Sequence, residues 1–339
     1  EDVREGELYE TLDERRIRCY ACGHRCPIFE GQRGVCKVRF NRKGVLYVPW
    51  GYVAGAHCDP IEKKPFYHFR PGSLAYSFGM LGCDLHCEYC QNWVTSQAMR
   101  DPRALVSRRL TSRVELVRAA KEAGAQSIIS TYNEPLITAE WAVGVFQEAR
   151  QAGLVTGFVS NGNATSEVLD YLHLWLDLYK VDLKSFNPKS YRKLGGRLEP
   201  VLQSIRRIHD LGMWLEVVTL VVPGFNDSDE ELTRIAEFLA DISVDVPWHV
   251  TAFHRDYRMI DPEDTPRTTL QRAARIGKRA GLHYVYAGNL HGMPDEFENT
   301  LCPSCNEVLV RRRGYWILEN RIVPPGACPA CGAVIRGRW

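Results

Sequence analysis

The sequence predicts an α/β fold: a partial TIM-type barrel of six strand–helix units, with an N-terminal four-cysteine cap and a C-terminal zinc-ribbon module. Three observations predict it. Apolar, β-branched runs alternate with amphipathic stretches through the middle of the 339-residue chain. The cysteines gather in sets rather than scattering. Both ends lack the strand–helix rhythm. The expected divisions are a cap over residues 1–66, a barrel over 67–294 and a ribbon over 295–339.

The strands are read first. SLAYSFG (73–79), SIISTY (127–132), VTGFVS (155–160), LYKVDLK (178–184), WLEVVTLVV (214–222), WHVTAF (248–253) and HYVYAG (283–288) are apolar enough for burial on both faces. Helices fall between them. Ser112 with Glu115 forms a capping box before VELVRAAKEA, which stops at Gly124. Ser228 with Glu231 repeats that signal before a helix through Leu239, and Gly212 and Gly281 stand at expected helix ends. From about Pro294 the pattern turns to short strands around paired CPxC turns.

Composition narrows the function classes. Apolar residues make up 45% and charged residues 25% of the chain, with a formal net charge of +2. That balance offers no footprint for nucleic acid. No apolar run is long enough to span a bilayer. EDVREGELYE, at the start, is charged and unlike a secretory signal, so a cytoplasmic location is expected. Twelve cysteines in a reducing compartment point to metal rather than disulfides.

They sort into four groups. Cys302, Cys305, Cys328 and Cys331 form two C-x2-C knuckles separated by twenty-two residues, close to the zinc-ribbon template. The Arg311–Arg313 run between them reads as a solvated hairpin face. Cys19, Cys22, Cys26 and Cys36 also supply four thiolates, suiting zinc or a second iron–sulfur cluster. Cys58 stands alone. Cys83, Cys87 and Cys90, in GCDLHCEYCQNW, lie just past the first barrel strand, where barrels build active sites. Three thiolates can ligate three irons of a [4Fe–4S] cluster and leave the fourth iron open.

With Tyr89 before its last cysteine, this C-x3-C-x2-C loop resembles the signature of radical S-adenosylmethionine (SAM) enzymes. DPIEKKPFYHFRPG (59–72), YNEP (132–135), VVPGFND (221–227), the CPxC ribbon and the terminal GRW extend the likeness over nearly the whole chain. They are similar to stretches of pyruvate formate-lyase activating enzymes and of radical SAM proteins of the AmmeMemoRadiSam gene system. The resemblance implies a [4Fe–4S] cluster whose open iron is chelated by SAM. It also implies an electron donor such as flavodoxin or ferredoxin, and a 5′-deoxyadenosyl radical that takes hydrogen from a substrate.

It further implies roles for single residues. Cys83, Cys87 and Cys90 would hold the cluster, and Tyr89 would lie against the adenine. Asn133 and Glu134 fall on the family's Gly-Gly-Glu segment at the SAM amino group, with Tyr132 and Asn133 replacing its glycines. Asn161 matches a SAM-contacting position. Asp182 and Lys184 match a D-x-K pair whose lysine reaches the SAM carboxylate, and His254 a histidine beside the ribose. The substrate would be a protein, as in glycyl-radical activation, or a small molecule or lipid. FYHFRPG (66–72), with Lys63 and Lys64 before it, is a candidate for the substrate side or for core packing. From another class, a non-catalytic zinc scaffold would close the triplet with Cys58 and bind protein or nucleic acid.

Overall fold

The computed structural model describes residues 2–290 and 295–339, with Asp295 described by its backbone alone. The expected barrel–ribbon boundary at Pro294 lies outside the described residues. At the centre is an eight-stranded sheet: β1 (Gly55–Pro60), β2 (Leu74–Gly79), β3 (Ser127–Ser130), β4 (Val155–Ser160), β5 (Leu178–Asp182), β6 (Trp214–Val221), β7 (Trp248–Ala252) and β8 (Val285–Gly288). The strands lie side by side in chain order, and the order never doubles back. Strands β2 to β8 are parallel. All seven apolar runs read from the sequence are therefore strands, one more than the six units expected.

β1 runs antiparallel to β2, pairing Gly55 with Gly79 and Cys58 with Tyr76. Its sequence, GAHCDP, is poor in strand formers, so nothing marked it as a strand. It lies inside the segment expected to be the cap, yet it belongs to the central sheet.

The principal helices are α1 (Arg113–Glu122), α2 (Ala139–Gln151), α3 (Ser166–Leu172), α4 (Leu198–Asp210), α5 (Asp229–Ile242) and α6 (Arg267–Arg279). The capping box of α1 forms in full, Ser112 and Glu115 each accepting from the other's backbone N–H. That of α5 forms only in half. Ser228 accepts from the Glu231 N–H, but the Glu231 carboxylate is taken by the Ser185 hydroxyl and the Phe186 N–H. A tertiary partner thus outcompetes the local one, and α5 runs three residues past Leu239 to Ile242.

The two ends close over this sheet differently. The N-terminal region forms two small three-stranded sheets. The C-terminal region is an antiparallel ribbon of β9 (Thr300–Leu301), β10 (Val308–Arg313) and β11 (Trp316–Asn320). Its Leu309, Val310, Ile322 and Ile335 pack with Tyr284 and Tyr286 at β8. The terminal GRW lies against FYHFRPG, where the Arg338 N–H donates to the His68 carbonyl at 2.7 Å. The arginine run is not uniformly solvated. Arg311 and Arg313 are exposed, but Arg312, on the opposite face of β10, is buried and donates to the Tyr67 carbonyl and the Thr300 hydroxyl.

Candidate active site

The triplet sits on the loop leaving β2. Gly82 takes a positive φ of 94° to turn the chain, and a Cβ there would lie 2.8 Å from Val38 and 3.1 Å from the Cys36 carbonyl. The loop is pinned by hydrogen bonds from Gly82 N to Thr95 O, His86 N to Leu194 O and the Gln97 amide to Leu85 O. An apolar shell of Leu85, Leu194, Val222 and Phe253 packs around the cysteines. Burial pushes the Cys87 thiol up to about 12 and raises that of Cys83 as well, so metal, not solvent, would have to draw off those protons. The Leu85 N–H donates to Cys83 Sγ at 3.4 Å, and Cys90 Sγ meets the Ser96 hydroxyl at 3.2 Å.

Cys87 and Cys90 open into a cavity of about 430 Å³. Tyr89, Asp182 and Lys184 line it as well. The Tyr89 hydroxyl is buried with no partner among the described residues, an orphaned polar group on the cavity wall. Asp182 bridges two lysines: Lys184 Nζ donates to Oδ2 at 3.3 Å, and Lys180 Nζ contacts Oδ1. Asn226, in the VVPGFND turn, donates to the Lys184 carbonyl at 2.8 Å and so fixes the end of that strand.

Three other expected residues form a buried network behind the cysteine loop rather than lining the cavity. The Asn133 side-chain amide oxygen accepts from Met80 N at 2.9 Å. The Glu134 carboxylate accepts from the Ser160 hydroxyl and from the N–H groups of Asn161 and Leu136. Burial, then the nearby Asp84 carboxylate, pushes Glu134 up to about 8. The Asn161 amide donates to Asp84 at 2.7 Å, and Asn163 donates to its other oxygen at 2.7 Å. His254 stands apart, partly exposed and 3.6 Å from Asp264. Tyr132 keeps the conformation a glycine would favour, φ 70°, strained for a bulky side chain.

The sequence pointed to part of the cavity and missed the rest. Lys63, Lys64 and Tyr67 line it, while Phe66, His68 and Phe69 are core, so FYHFRPG divides between the two roles proposed for it. Lys180, His249, Tyr286 and the ribbon's Tyr315 also line it. The available signal was alternation: Lys180, Asp182 and Lys184 share one face of an otherwise apolar run.

The four C-terminal thiols converge. Cys302 and Cys331 lie 3.6 Å apart, Cys305 and Cys328 3.7 Å, and all four sulfurs fall within 4.8 Å of one another. A tetrahedral zinc with Zn–S near 2.3 Å needs sulfurs ~3.8 Å apart. Among the described residues no other set of cysteines, histidines or carboxylates is gathered in this way. Cys58 is exposed, three residues back along β1 from Gly55, or roughly 10 Å of strand from the end bearing the triplet. It cannot close the triplet, which removes the scaffold's third site.

Comparison with known proteins bears on this arrangement. Residues 79–239 match the Radical SAM superfamily. The chain is 37% identical over 340 residues to the uncharacterized protein MJ0808 of Methanocaldococcus jannaschii, covering 98% of this chain and 99% of that one. It is 24% identical over 192 residues to the pyruvate formate-lyase-activating enzyme of Staphylococcus epidermidis, covering 55% of this chain and 76% of the enzyme. A solved radical SAM methyltransferase from Sphaerobacter thermophilus shares the fold at a TM-score of 0.51 and 14% identity, over 85% of this chain and 78% of its own. Streptococcus suis SuiB, solved with its precursor peptide SuiA, gives 0.50 and 16%, over 68% and 52%. Among the described residues, no helix is long and apolar enough to cross a membrane.

Proposed function

The chain belongs to the radical SAM superfamily and is an enzyme, and from that premise we propose the parts its own residues play. The family implies an iron–sulfur cluster, SAM and a reductant. Cys83, Cys87 and Cys90 hold the [4Fe–4S] cluster, which when loaded supplies the electron that cleaves SAM to a 5′-deoxyadenosyl radical. Lys184, kept charged by Asp182, meets the SAM carboxylate, and Tyr89 flanks the adenine. Asn133, Glu134 and Asn161 act one layer back, holding the cysteine loop through Asp84 and Met80. His254 reaches the ribose from the rim. A partial barrel carries the site, supported by the unbroken strand order; residues 1–54, the expected cap without β1, and residues 295–339 act as its cap and ribbon.

The single observation that carries this reading is the cavity shared by Cys87, Cys90, Tyr89, Asp182 and Lys184. The C-terminal set holds zinc, since its sulfurs already stand at the spacing of one ion. The N-terminal set, four thiolates on a loop-rich segment, holds zinc or a second iron–sulfur cluster.

The substrate is a protein, as the likeness to activating enzymes suggests, with hydrogen taken from a residue presented at the cavity mouth. A second reading, a small molecule, is favoured by the charged residues deep in the cavity. Deuterium transfer into 5′-deoxyadenosine from labelled proteins or metabolites decides between them. Label arriving only from proteins would sink the second reading; label arriving only from metabolites would sink the first.

A further inference from the structure

The cavity carries more buried positive charge than its own acids answer. Lys180 and Lys184 share the single carboxylate of Asp182. Among the described residues neither lysine makes another ion pair. At the rim the pattern repeats: Asp59 takes both Lys63, at 2.9 Å, and Lys64, at 3.0 Å. Lys180 is 5% exposed, and Lys64 is as deeply buried. A buried ammonium without a full counter-charge is costly, so such an arrangement is built for something that arrives.

The next acid along is already occupied. Glu216 sits beside Lys180 in the β5–β6 register, but its oxygens accept from four donors. They are His249 Nε2 at 2.7 Å, the N–H groups of Tyr67 and His68, and the Trp214 indole. This anchors His249 rather than serving the lysine. His249 in turn lines the cavity between Tyr67 and Tyr286, with ring centroids 4.7 and 5.1 Å away. Its Nε2 is committed to Glu216, leaving Nδ1 for a ligand. Glu62, another wall residue, has one carboxylate oxygen buried without a partner among the described residues, and burial pushes it toward its neutral form. Arg312 adds a further buried cation nearby.

We propose that Lys180, with His249 and the flanking tyrosines, forms a second subsite that binds an anionic group of the substrate, a carboxylate or a phosphate. The inference rests on the reading of Lys184 as the SAM-carboxylate lysine and divides the two lysines of Asp182 between two ligands. Strand geometry makes the division natural. Lys180 and Lys184 stand four residues apart on one face, roughly 13 Å along an extended chain, with Asp182 between them. Lys184 lies at the cysteine end and Lys180 deeper. An anion at Lys180 would fix the distance between its neighbouring C–H bonds and the SAM site, which is what selective hydrogen abstraction needs.

The test uses the full chain, anaerobically reconstituted with iron and sulfide, titrated calorimetrically at low ionic strength with inorganic phosphate and, separately, malonate. SAM is titrated in parallel. At least one anion should bind one-to-one, and Lys180→Met should weaken it at least ~10-fold, a clear step on the affinity scale. Lys180→Arg should restore part of that loss. The larger loss of SAM affinity should fall on Lys184→Met. Phosphate alone binding would indicate a phosphorylated substrate, malonate alone a carboxylate, and either supports the subsite. Neither anion binding the wild-type protein would overturn the proposal. So would a Lys180→Met variant that weakens SAM as much as Lys184→Met and leaves anion binding unchanged. Failure of wild-type protein to cleave SAM would instead strike the radical SAM reading, and the anion titration would still be readable.

Discussion

The two four-cysteine sets differ in everything except ligand count. The C-terminal thiols converge on one point, and Cys305 and Cys331 are exposed. In the N-terminal set Cys19, Cys22 and Cys36 are buried. They are also interlocked with the centre of the protein. His24 Nε2 meets the Asp84 carbonyl at 3.1 Å, and Gly23 N donates to Asn163 O at 2.7 Å. Arg39 donates to Cys19 Sγ and forms a buried ion pair with Glu140 of α2. One set is a self-contained knuckle on a ribbon; the other is part of the wall behind the loop that carries Cys83, Cys87 and Cys90. Equal thiol counts therefore do not mean equal roles.

Breaking the Arg39–Glu140 pair should have the largest effect, because it strands a buried guanidinium. Glu140→Gln should cost about 3–5 kcal/mol in denaturant unfolding, since a buried charge loses its partner. A loss below about 1 kcal/mol, the value of a surface pair, would show that the N-terminal region is only loosely attached. The pair also sets a pH dependence. Burial raises the Glu140 pKa, but Arg39 overrides it and the net shift is downward from 4.5. A lowered carboxylate contributes stability above its ordinary value and loses it as pH falls through its folded value. Wild-type stability should therefore drop below about pH 4.5, and Glu140→Gln should flatten that part of the curve.

Asp84→Asn tests the link between the N-terminal wall and the cysteine loop. It removes acceptors from Asn161 and Asn163 while keeping size, so SAM cleavage should fall roughly 10–100-fold, the usual cost of disturbing a ligand's support. Unchanged cleavage would make the network structural only. Smallest should be the effect of Cys328→Ser at the ribbon. About one equivalent of zinc should be lost by elemental analysis, with iron content held, as expected of a separate four-thiolate ion site. Loss of iron instead would merge the two sets into one account.

Much of the fold was legible because its strands are buried on both faces and read as continuous apolar runs. Cysteine spacing likewise announced the C-terminal set, whose four thiols converge. β1 was not legible: Gly55, Ala56, Cys58 and Asp59 have weak strand preference, and only pairing with β2 extends them. The cavity was half legible. Lys63, Lys64, Asp182 and Lys184 stood out by type and motif, whereas His249 and Tyr286 look like ordinary strand residues until the sheet brings β7 and β8 beside β5. Glu134 and Asn161 were found by motif, but their depth behind the loop depends on Asp84, which no local pattern marks.

The account's central claim is tested most directly by mixing anaerobically reconstituted protein with SAM and dithionite and quantifying 5′-deoxyadenosine and methionine. Wild-type protein should form both in equal amounts, and Cys87→Ala should form neither. A protein that takes up no iron and leaves SAM intact, or a Cys87→Ala variant that turns over normally, would contradict it.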